Sequence, residues 1–290
     1  MAAFPSEFTT ADGLALPCRA LLPSDGTAVR AALVLVHGLG DHSCAVSYDV
    51  LIGHLRPRGF ACYLYDQRGF GRAPGPRAFT PTFGHLRDDL ARFVRLVREH
   101  APDLPCFLIG LSLGGLIVLD QAIAHPGPLA GVVAAAPALG RPQVPRTLLA
   151  LAPFLSRATP QWRLDPRLDI ANLSRDQVAA RAYVDDPLYE PLTSARLGWE
   201  TVRTMRETMM AAPRMHVPLL LLHGDADRIT SPAGSAEFHA RAGTADKTLI
   251  VYPGAVHNPL IDIERDQVLA DVTDWLLKRT AARRSGGRPH

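Results

Sequence analysis

One serine in this sequence has the surroundings that nucleophilic catalysis requires. Ser112 is the central residue of the segment Gly110–Gly114, which follows an apolar strand-like run and opens a helix-like run. A serine hydroxyl is a poor nucleophile unless it is exposed and paired with a base, and a tight strand-to-helix turn exposes it. Such a turn crowds the positions two before and two after the serine, which explains Gly110 and Gly114. We therefore predict that Ser112 is a nucleophile rather than a structural serine that caps the helix.

A base and an acid follow two later strand-like runs. The apolar run Val217–Leu222 precedes Asp227, and Thr248–Tyr252 precedes His257. The chain order Ser, Asp, His is typical of this strand-to-helix serine architecture, and both loops would lie at the carboxyl edge of the sheet. Imidazole suits proton transfer near neutral pH, and a carboxylate on its second nitrogen orients it. We predict His257 as the base and Asp227 as its partner; Asp225 is the alternative acid, although it could simply bond to backbone N–H groups of its loop.

Acyl transfer also needs two N–H donors for the oxyanion that forms in the transition state. One is expected from Leu113, the residue after the nucleophile. The other is expected from Leu39, because the glycine-rich loop 36–42 follows an early strand and can turn its backbone toward the serine. His37 is interpreted as a scaffold residue that bonds within this loop, and His223, at the end of a strand, is given a structural role.

Alternating apolar and amphipathic segments predict a mostly parallel central sheet flanked by helices. An opening hairpin is expected from Thr9–Leu16 and Cys18–Leu22, around Asp12-Gly13 and Pro17. The strands expected after it are Ala31–Val36, Phe60–Tyr65, Pro105–Leu111, Leu129–Ala136, Val217–His223 and Thr248–Tyr252. The predicted helices are Val46–Leu55, Phe83–His100, Leu113–His125, Pro232–Ala242 and Ile261–Arg279.

The alternation stops between residues 137 and 213, where the sequence is irregular and rich in proline. Helical fragments are expected there at Thr147–Ser156 and Gly198–Met210. Because the strand–helix pattern resumes afterwards, we predict a core formed by residues 1–136 and 214–280, with 137–213 inserted as a mainly helical cap. Residues 281–290 are predicted to form a flexible basic tail.

Composition restricts the class of protein. The 290 residues are 47% hydrophobic and 20% charged with a net charge of +3, which is typical of a globular protein and gives no indication of nucleic-acid binding. The beginning of the chain has neither the basic nor the apolar region of a secretory signal, and no apolar run approaches 18 residues, so no integral membrane segment is expected. Four scattered cysteines favour free thiols in a reducing cytoplasm. No metal and no cofactor are expected.

Several motifs together resemble the monoacylglycerol lipase and lysophospholipase branch of the α/β-hydrolase superfamily over nearly the whole chain. They are HGLG from His37, DQRGFG from Asp66, GLSLGG from Gly110, DPL from Asp186, HGDADR from His223 and GAVH ending at His257. The resemblance implies an α/β-hydrolase fold, an acid at Asp227 and oxyanion donors at Leu39 and Leu113. The chain departs from the family pattern at Ala73, where a serine is usual, and at Gln67, where a histidine is common.

The resemblance implies a carboxylesterase or lipase-type serine hydrolase that acts on a small ester with an aliphatic acyl chain. Apolar residues in Thr147–Phe154, with Met205, Met209 and Met210, are expected to offer adaptable surface for such a chain. The alternative for any one of them is that it merely holds the cap to the core. Transient contact with a lipid surface is compatible with this substrate class. The same residues could instead carry out transacylation, peptide cleavage or C–C bond hydrolysis. A non-catalytic receptor on this fold is the alternative from another class.

Overall fold

The computed structural model describes residues 3–24, 26–142, 144–165 and 169–285, and its centre is a sheet of eight strands. Its strands are β1 Glu7–Thr9, β2 Ala15–Leu21, β3 Ala31–Val36, β4 Phe60–Tyr65, β5 Cys106–Leu111, β6 Leu129–Ala135, β9 Leu219–Gly224 and β10 Lys247–Tyr252. Within the sheet they run in the order β1, β2, β4, β3, β5, β6, β9, β10. The pairs from β4 to β10 are all parallel, whereas β2 is antiparallel to both β1 and β4.

Two helical layers cover the sheet, and the strand side chains alternate between them. In β3, for example, Ala32, Val34 and Val36 belong to one apolar cluster, while Leu33 and Leu35 belong to the other. The first cluster includes residues of α2 Phe83–His100, α3 Leu113–Ala124 and α8 Pro232–Arg241, and the second includes residues of α1 Val46–Leu55 and α9 Arg265–Ser285. Because both faces are covered, β3 to β6 and β9 are buried at every position. The predicted parallel sheet flanked by helices is confirmed.

The segment 137–213 between β6 and β9 contains four α-helices and a two-stranded ribbon among its described residues. The helices are α4 Arg146–Ala158, α5 Ile170–Leu173, α6 Gln177–Val184 and α7 Ala195–Ala211, and the ribbon pairs β7 Arg163–Leu164 with β8 Thr193–Ser194. The fragments predicted at Thr147–Ser156 and Gly198–Met210 lie within α4 and α7. Sequence reasoning missed α5 and α6, which are short and begin at the side chains of Asp169 and Asp176.

The opening hairpin is present, but its predicted strand bounds were wrong. Residues 10–14 form the turn, in which the Thr10 hydroxyl accepts from the Leu14 N–H at 2.8 Å. Pro17 was expected at a break between strands, yet it lies inside β2 opposite Glu7. The turn therefore displaces both strands relative to the prediction.

The last helix runs further along the chain than was predicted. Helix α9 continues through Ser285, so helical structure extends into the segment 281–290 that was predicted to be a flexible tail. Residues 286–290 lie outside the described part of the chain. None of the helices among the described residues is long and apolar enough to cross a bilayer.

Candidate active site

Ser112 lies at a strained turn between β5 and α3. Its φ of 57° and ψ of −117° are unusual for a residue with a side chain. A Cβ on Gly110 would lie 2.2 Å from the Gly114 carbonyl oxygen, and one on Gly114 would lie 2.0 Å from the Val36 carbonyl oxygen. The two glycines therefore let the turn close and let α3 begin directly against the sheet.

The three predicted polar residues lie within hydrogen-bonding distance of one another. The Ser112 Oγ lies 3.0 Å from Nε2 of His257, and Nδ1 of the same ring lies 2.9 Å from Oδ2 of Asp227. The Asp227 side chain has no exposed surface and that of His257 is 6% exposed. With Nδ1 donating to the carboxylate, Nε2 is left as the acceptor for the serine proton.

The Asp227 carboxylate is held ionised by several donors. Burial acts to raise its pKa, but the neighbouring His257, the hydrogen bonds from His223 and His257 and the Thr230 N–H together bring the pKa well below its usual range. Oδ1 accepts from the backbone N–H groups of Ile229 at 2.7 Å and Thr230 at 3.0 Å. The carboxylate is therefore a fixed negative charge that orients the imidazole.

Asp225, the alternative acid, bonds to a neighbouring loop, and Asp227 is the residue that contacts the imidazole of His257. Asp225 is exposed, and its Oδ1 accepts from the backbone N–H of Gly254 at 2.6 Å. This contact joins the two loops that carry Asp227 and His257. Asp225 thus bonds to loop backbone, which was the other interpretation considered for it.

The two residues predicted to supply the oxyanion donors lie beside Ser112. Leu39 and Leu113 line the same cavity as Ser112, and a Cβ on Gly38 would lie 3.4 Å from the Cβ of Ser112. Leu113 is the first residue of α3, where an N–H has no partner within the helix. Among the backbone hydrogen bonds of the described loops, none uses the Leu39 N–H. Leu39 and Leu113 therefore stay the candidate donors for an oxyanion.

His37 is part of the scaffold of this loop, as predicted. Its Nε2 accepts from the backbone N–H of Gln67 at 2.9 Å, and its Nδ1 lies 2.9 Å from the carbonyl oxygen of Gly38. Burial lowers the pKa of His37 to about 4, so the ring is neutral at physiological pH. Gln67, which departs from the family pattern, also donates from Nε2 to the His37 carbonyl at 2.5 Å.

A cavity of about 310 Å³ opens onto Ser112. Its apolar wall is formed by Leu39, Leu113, Ala138, Pro142, Val144, Val202, Met205 and Ile229, and its polar side chains include Arg141, Asp169, Asn172, Thr193, Thr201, Arg228 and Thr230. The expectation that Thr147–Phe154 and all three methionines offer surface to the acyl chain needs correction. No residue of α4 lines the described cavity. Met209 packs in the core and Met210 is exposed, so neither lines the cavity. The apolar residues that α7 contributes to it are Val202 and Met205.

Sequence reasoning missed a polar network behind the acid. His223, given only a structural role, places Nε2 at 3.1 Å from Oδ2 of Asp227 and Nδ1 at 2.7 Å from the hydroxyl of Ser235. The Thr230 hydroxyl donates to the same Oδ2 at 2.7 Å. The position of His223 at a strand end, four residues before Asp227, was the available signal. Within the described residues, no cluster of His, Cys, Asp and Glu side chains is arranged to hold a metal ion.

Comparison with known proteins gives a consistent family. The profile of the family described as serine aminopeptidase, S33, matches residues 27–264. Monoglyceride lipase of Mus musculus is 32% identical over 285 residues, covering 96% of this chain and 92% of that protein. Monoacylglycerol lipase of Mycolicibacterium smegmatis is 30% identical over 250 residues, covering 86% and 88%.

Solved structures of similar proteins agree with this family. The crystal structure of Paleococcus ferrophilus monoacylglycerol lipase has a TM-score of 0.82 and 35% identity, covering 91% of this chain and 99% of that one. A soluble variant of Saccharomyces cerevisiae monoglyceride lipase with a substrate analogue has a TM-score of 0.85 and 26% identity, covering 96% of each chain. The predicted α/β-hydrolase fold and the predicted class of enzyme are confirmed. The chain belongs to the S33 family of α/β hydrolases and is a lipase-type serine hydrolase of the monoacylglycerol lipase-like branch.

Proposed function

We propose that this enzyme hydrolyses monoacylglycerol-like carboxylic esters through an acyl-enzyme on Ser112. His257 acts as general base and acid, Asp227 orients it, and the N–H groups of Leu39 and Leu113 bind the oxyanion. The observation that carries the proposal is the continuous line from the Ser112 hydroxyl through the imidazole to Asp227, with spacings of 3.0 and 2.9 Å.

The chemistry follows from this geometry in two halves. Ser112 Oγ attacks the ester carbonyl while Nε2 of His257 takes the hydroxyl proton, and the negative charge that forms on the carbonyl oxygen is bound by the two N–H donors. When the C–O bond breaks, His257 returns that proton to the leaving alcohol. Water then repeats the sequence on the acyl-enzyme, releasing the carboxylic acid and restoring the serine.

The substrate class is inferred from the cavity and from the relatives. The apolar wall beside Ser112, which includes Val202 and Met205, suits an aliphatic acyl chain, whereas the polar groups at the same cavity suit a glycerol or similar head. The relatives named above are monoglyceride or monoacylglycerol lipases. We assign the catalytic core to residues 1–136 and 214–280 and propose that 137–213 serves as its cap.

The outer surface of this cap suits transient contact with a lipid surface, from which a monoacylglycerol would enter. Leu151 and Phe154 on α4 have exposed fractions of 54% and 67%, and Trp162 follows them at 50%. Large exposed apolar side chains in one segment are unfavourable in water alone.

A cytoplasmic location is proposed from the four cysteines, all of which are free thiols.

The substrate test compares purified enzyme on 1-monooleoylglycerol, 1-oleoyl-lysophosphatidylcholine and an aminoacyl p-nitroanilide. We expect kcat/KM for the monoacylglycerol to exceed that for the lysophospholipid, with no amide cleavage. Ser112→Ala, measured on the same substrates, is the control for contaminating lipases, and we expect turnover to fall by about four to six orders of magnitude. Preference for the anilide would contradict the proposal and favour peptide cleavage.

A further inference from the structure

The loop that carries His257 is bonded from outside by the cap. The backbone N–H of His257 donates to the carbonyl of Asn172 at 3.1 Å, and that of Asn258 donates to the carbonyl of Leu173 at 2.9 Å. Both acceptors belong to α5 of the cap. The backbone of the proposed base is therefore held between the core sheet and the cap.

An ion pair between the half-buried Arg175 and the buried Asp262 strengthens the same junction. The side chain of Asp262 has no exposed surface, and it accepts from the backbone N–H of Arg175 at 2.8 Å and from Nε of Arg175 at 3.1 Å. Its Oδ2 also accepts from the backbone N–H of Val256, the residue before His257, at 3.0 Å. One carboxylate thus joins the cap to the histidine loop, and Arg175 extends the contact to Glu264. Removing the guanidinium would leave Asp262 buried with fewer donors, which is costly.

The same stretch of cap also contacts the oxyanion loop. The Gly40 carbonyl accepts from the backbone N–H of Glu190 at 2.8 Å, and a Cβ on Gly40 would lie 2.5 Å from the Glu190 carbonyl oxygen. His42 Nδ1 accepts from the Cys44 N–H at 3.2 Å, which leaves the proton on Nε2. That nitrogen lies 3.2 Å from Oδ1 of Asp186, an electrostatic contact rather than an aligned hydrogen bond.

We propose that residues 172–190 act as a brace that positions both catalytic loops, with Arg175 as a positioning residue for His257 and Asp186 as one for the oxyanion donor Leu39. The proposal rests on the proposed roles of His257 and Leu39. None of the hydrogen bonds between described residues joins α4 to either loop. The brace is therefore distinct from α4, which is bonded to the core-facing helix α7 through Arg196 and the Ser156 carbonyl.

The first test compares Arg175→Met with Arg265→Met. Arg265 is the matched control because it joins the neighbouring residue of the α5–α6 link to the core, through a 2.6 Å contact with Asp176, and no hydrogen bond between described residues joins its side chain to the histidine loop. Activity is measured on p-nitrophenyl butyrate at least 15 °C below the Tm of each variant. We expect kcat of Arg175→Met to fall by about tenfold to a hundredfold with KM changed by less than about twofold, since a small misplacement of a catalytic group is costly. Arg265→Met should resemble the wild type, and Arg175→Lys, which keeps a charge beside Asp262, should be intermediate.

Equal kcat values for the two methionine variants would overturn the role of Arg175. If Arg175→Met does not fold, Arg175→Lys decides alone, and wild-type kcat in that variant overturns the role. Failure of the proposed function is a separate result: it would appear as full turnover of this ester by Ser112→Ala.

The second test addresses the oxyanion loop through the ratio of kcat/KM for an ester and its thionoester. N–H donors that fit an oxyanion favour oxygen over the larger sulfur, so a displaced Leu39 N–H lowers this ratio. We expect Asp186→Asn to lower the ratio by about threefold or more, with no change in Arg265→Met. An unchanged ratio in Asp186→Asn would overturn the oxyanion half of the brace.

Discussion

Replacing Asp227 by asparagine tests how the acid works, because its two oxygens have different partners. Oδ2 accepts from His257, His223 and the Thr230 hydroxyl, whereas Oδ1 accepts from the N–H groups of Ile229 and Thr230. An asparagine must place its NH₂ group on one of these two sides. Toward the loop, it would oppose two backbone N–H donors; toward the rings, it would impose the wrong tautomer on His257.

The expected magnitude follows from these two orientations. Loss of the charge and of the correct tautomer should lower kcat by about 10³ to 10⁴, equivalent to roughly 4–5 kcal/mol in activation free energy. If the NH₂ group faces the loop instead, the N–H groups of Ile229 and Thr230 lose their acceptor, and the free energy of unfolding should fall by about 2–4 kcal/mol. Turnover on p-nitrophenyl butyrate and urea unfolding measure the two effects.

Asp225→Asn is the matched control for this substitution. Its Oδ1 accepts a single bond, from the Gly254 N–H at 2.6 Å, which an asparagine oxygen can also accept. We expect kcat within about twofold of wild type and a change in unfolding free energy below about 0.5 kcal/mol. A larger loss of kcat in Asp225→Asn than in Asp227→Asn would refute the assignment of the acid.

Three further predictions follow from the packing around the site. Gly114→Ala should lower the free energy of unfolding by about 3 kcal/mol or more, because its Cβ would lie 2.0 Å from the Val36 carbonyl oxygen; an unchanged Tm would contradict this. Below pH 6.5 the unfolded chain binds a proton at His37, whereas the folded protein, in which the pKa of His37 is about 4, does not bind it until the pH is much lower. The free energy of unfolding should therefore decline from pH 6.5 toward pH 4 by up to about 3 kcal/mol, and urea titrations should show a shallower decline in His37→Asn. Val202→Phe should fill space at the apolar wall of the cavity, so KM for p-nitrophenyl decanoate should rise at least fivefold more than KM for p-nitrophenyl acetate, a difference of about 1 kcal/mol in binding free energy. Equal effects on both esters would place the acyl chain elsewhere.

Sequence reasoning succeeded where local pattern and local function coincide. The bounds of α1, α2 and β4 were predicted to the residue because each is a single amphipathic or apolar run between clear breaks. Ser112, Asp227 and His257 could be brought together in advance because parallel strands end at one edge of a sheet. That reasoning needs only strand ends and residue types, both of which are visible in the sequence.

The remaining features depend on contacts between residues far apart in the chain. The pairing of Arg175 with Asp262 joins positions 87 apart, and no local pattern indicates it. The apolar face of α4 was expected at the cavity, but an amphipathic pattern gives a helix an apolar side without stating what that side faces. The Thr10–Leu14 turn displaced the predicted hairpin because a side-chain hydrogen bond, rather than Pro17, determines where the strands begin.

The nucleophile itself can be observed directly by trapping it. Incubating the enzyme with a fluorophosphonate, followed by protease digestion and mass spectrometry, should show one adduct per chain on the peptide containing Ser112, and none on the Ser112→Ala protein. In His257→Ala the labelling rate should fall by several orders of magnitude, since the hydroxyl then lacks the base 3.0 Å away. An adduct on another residue, or equal labelling of Ser112→Ala, would contradict the account.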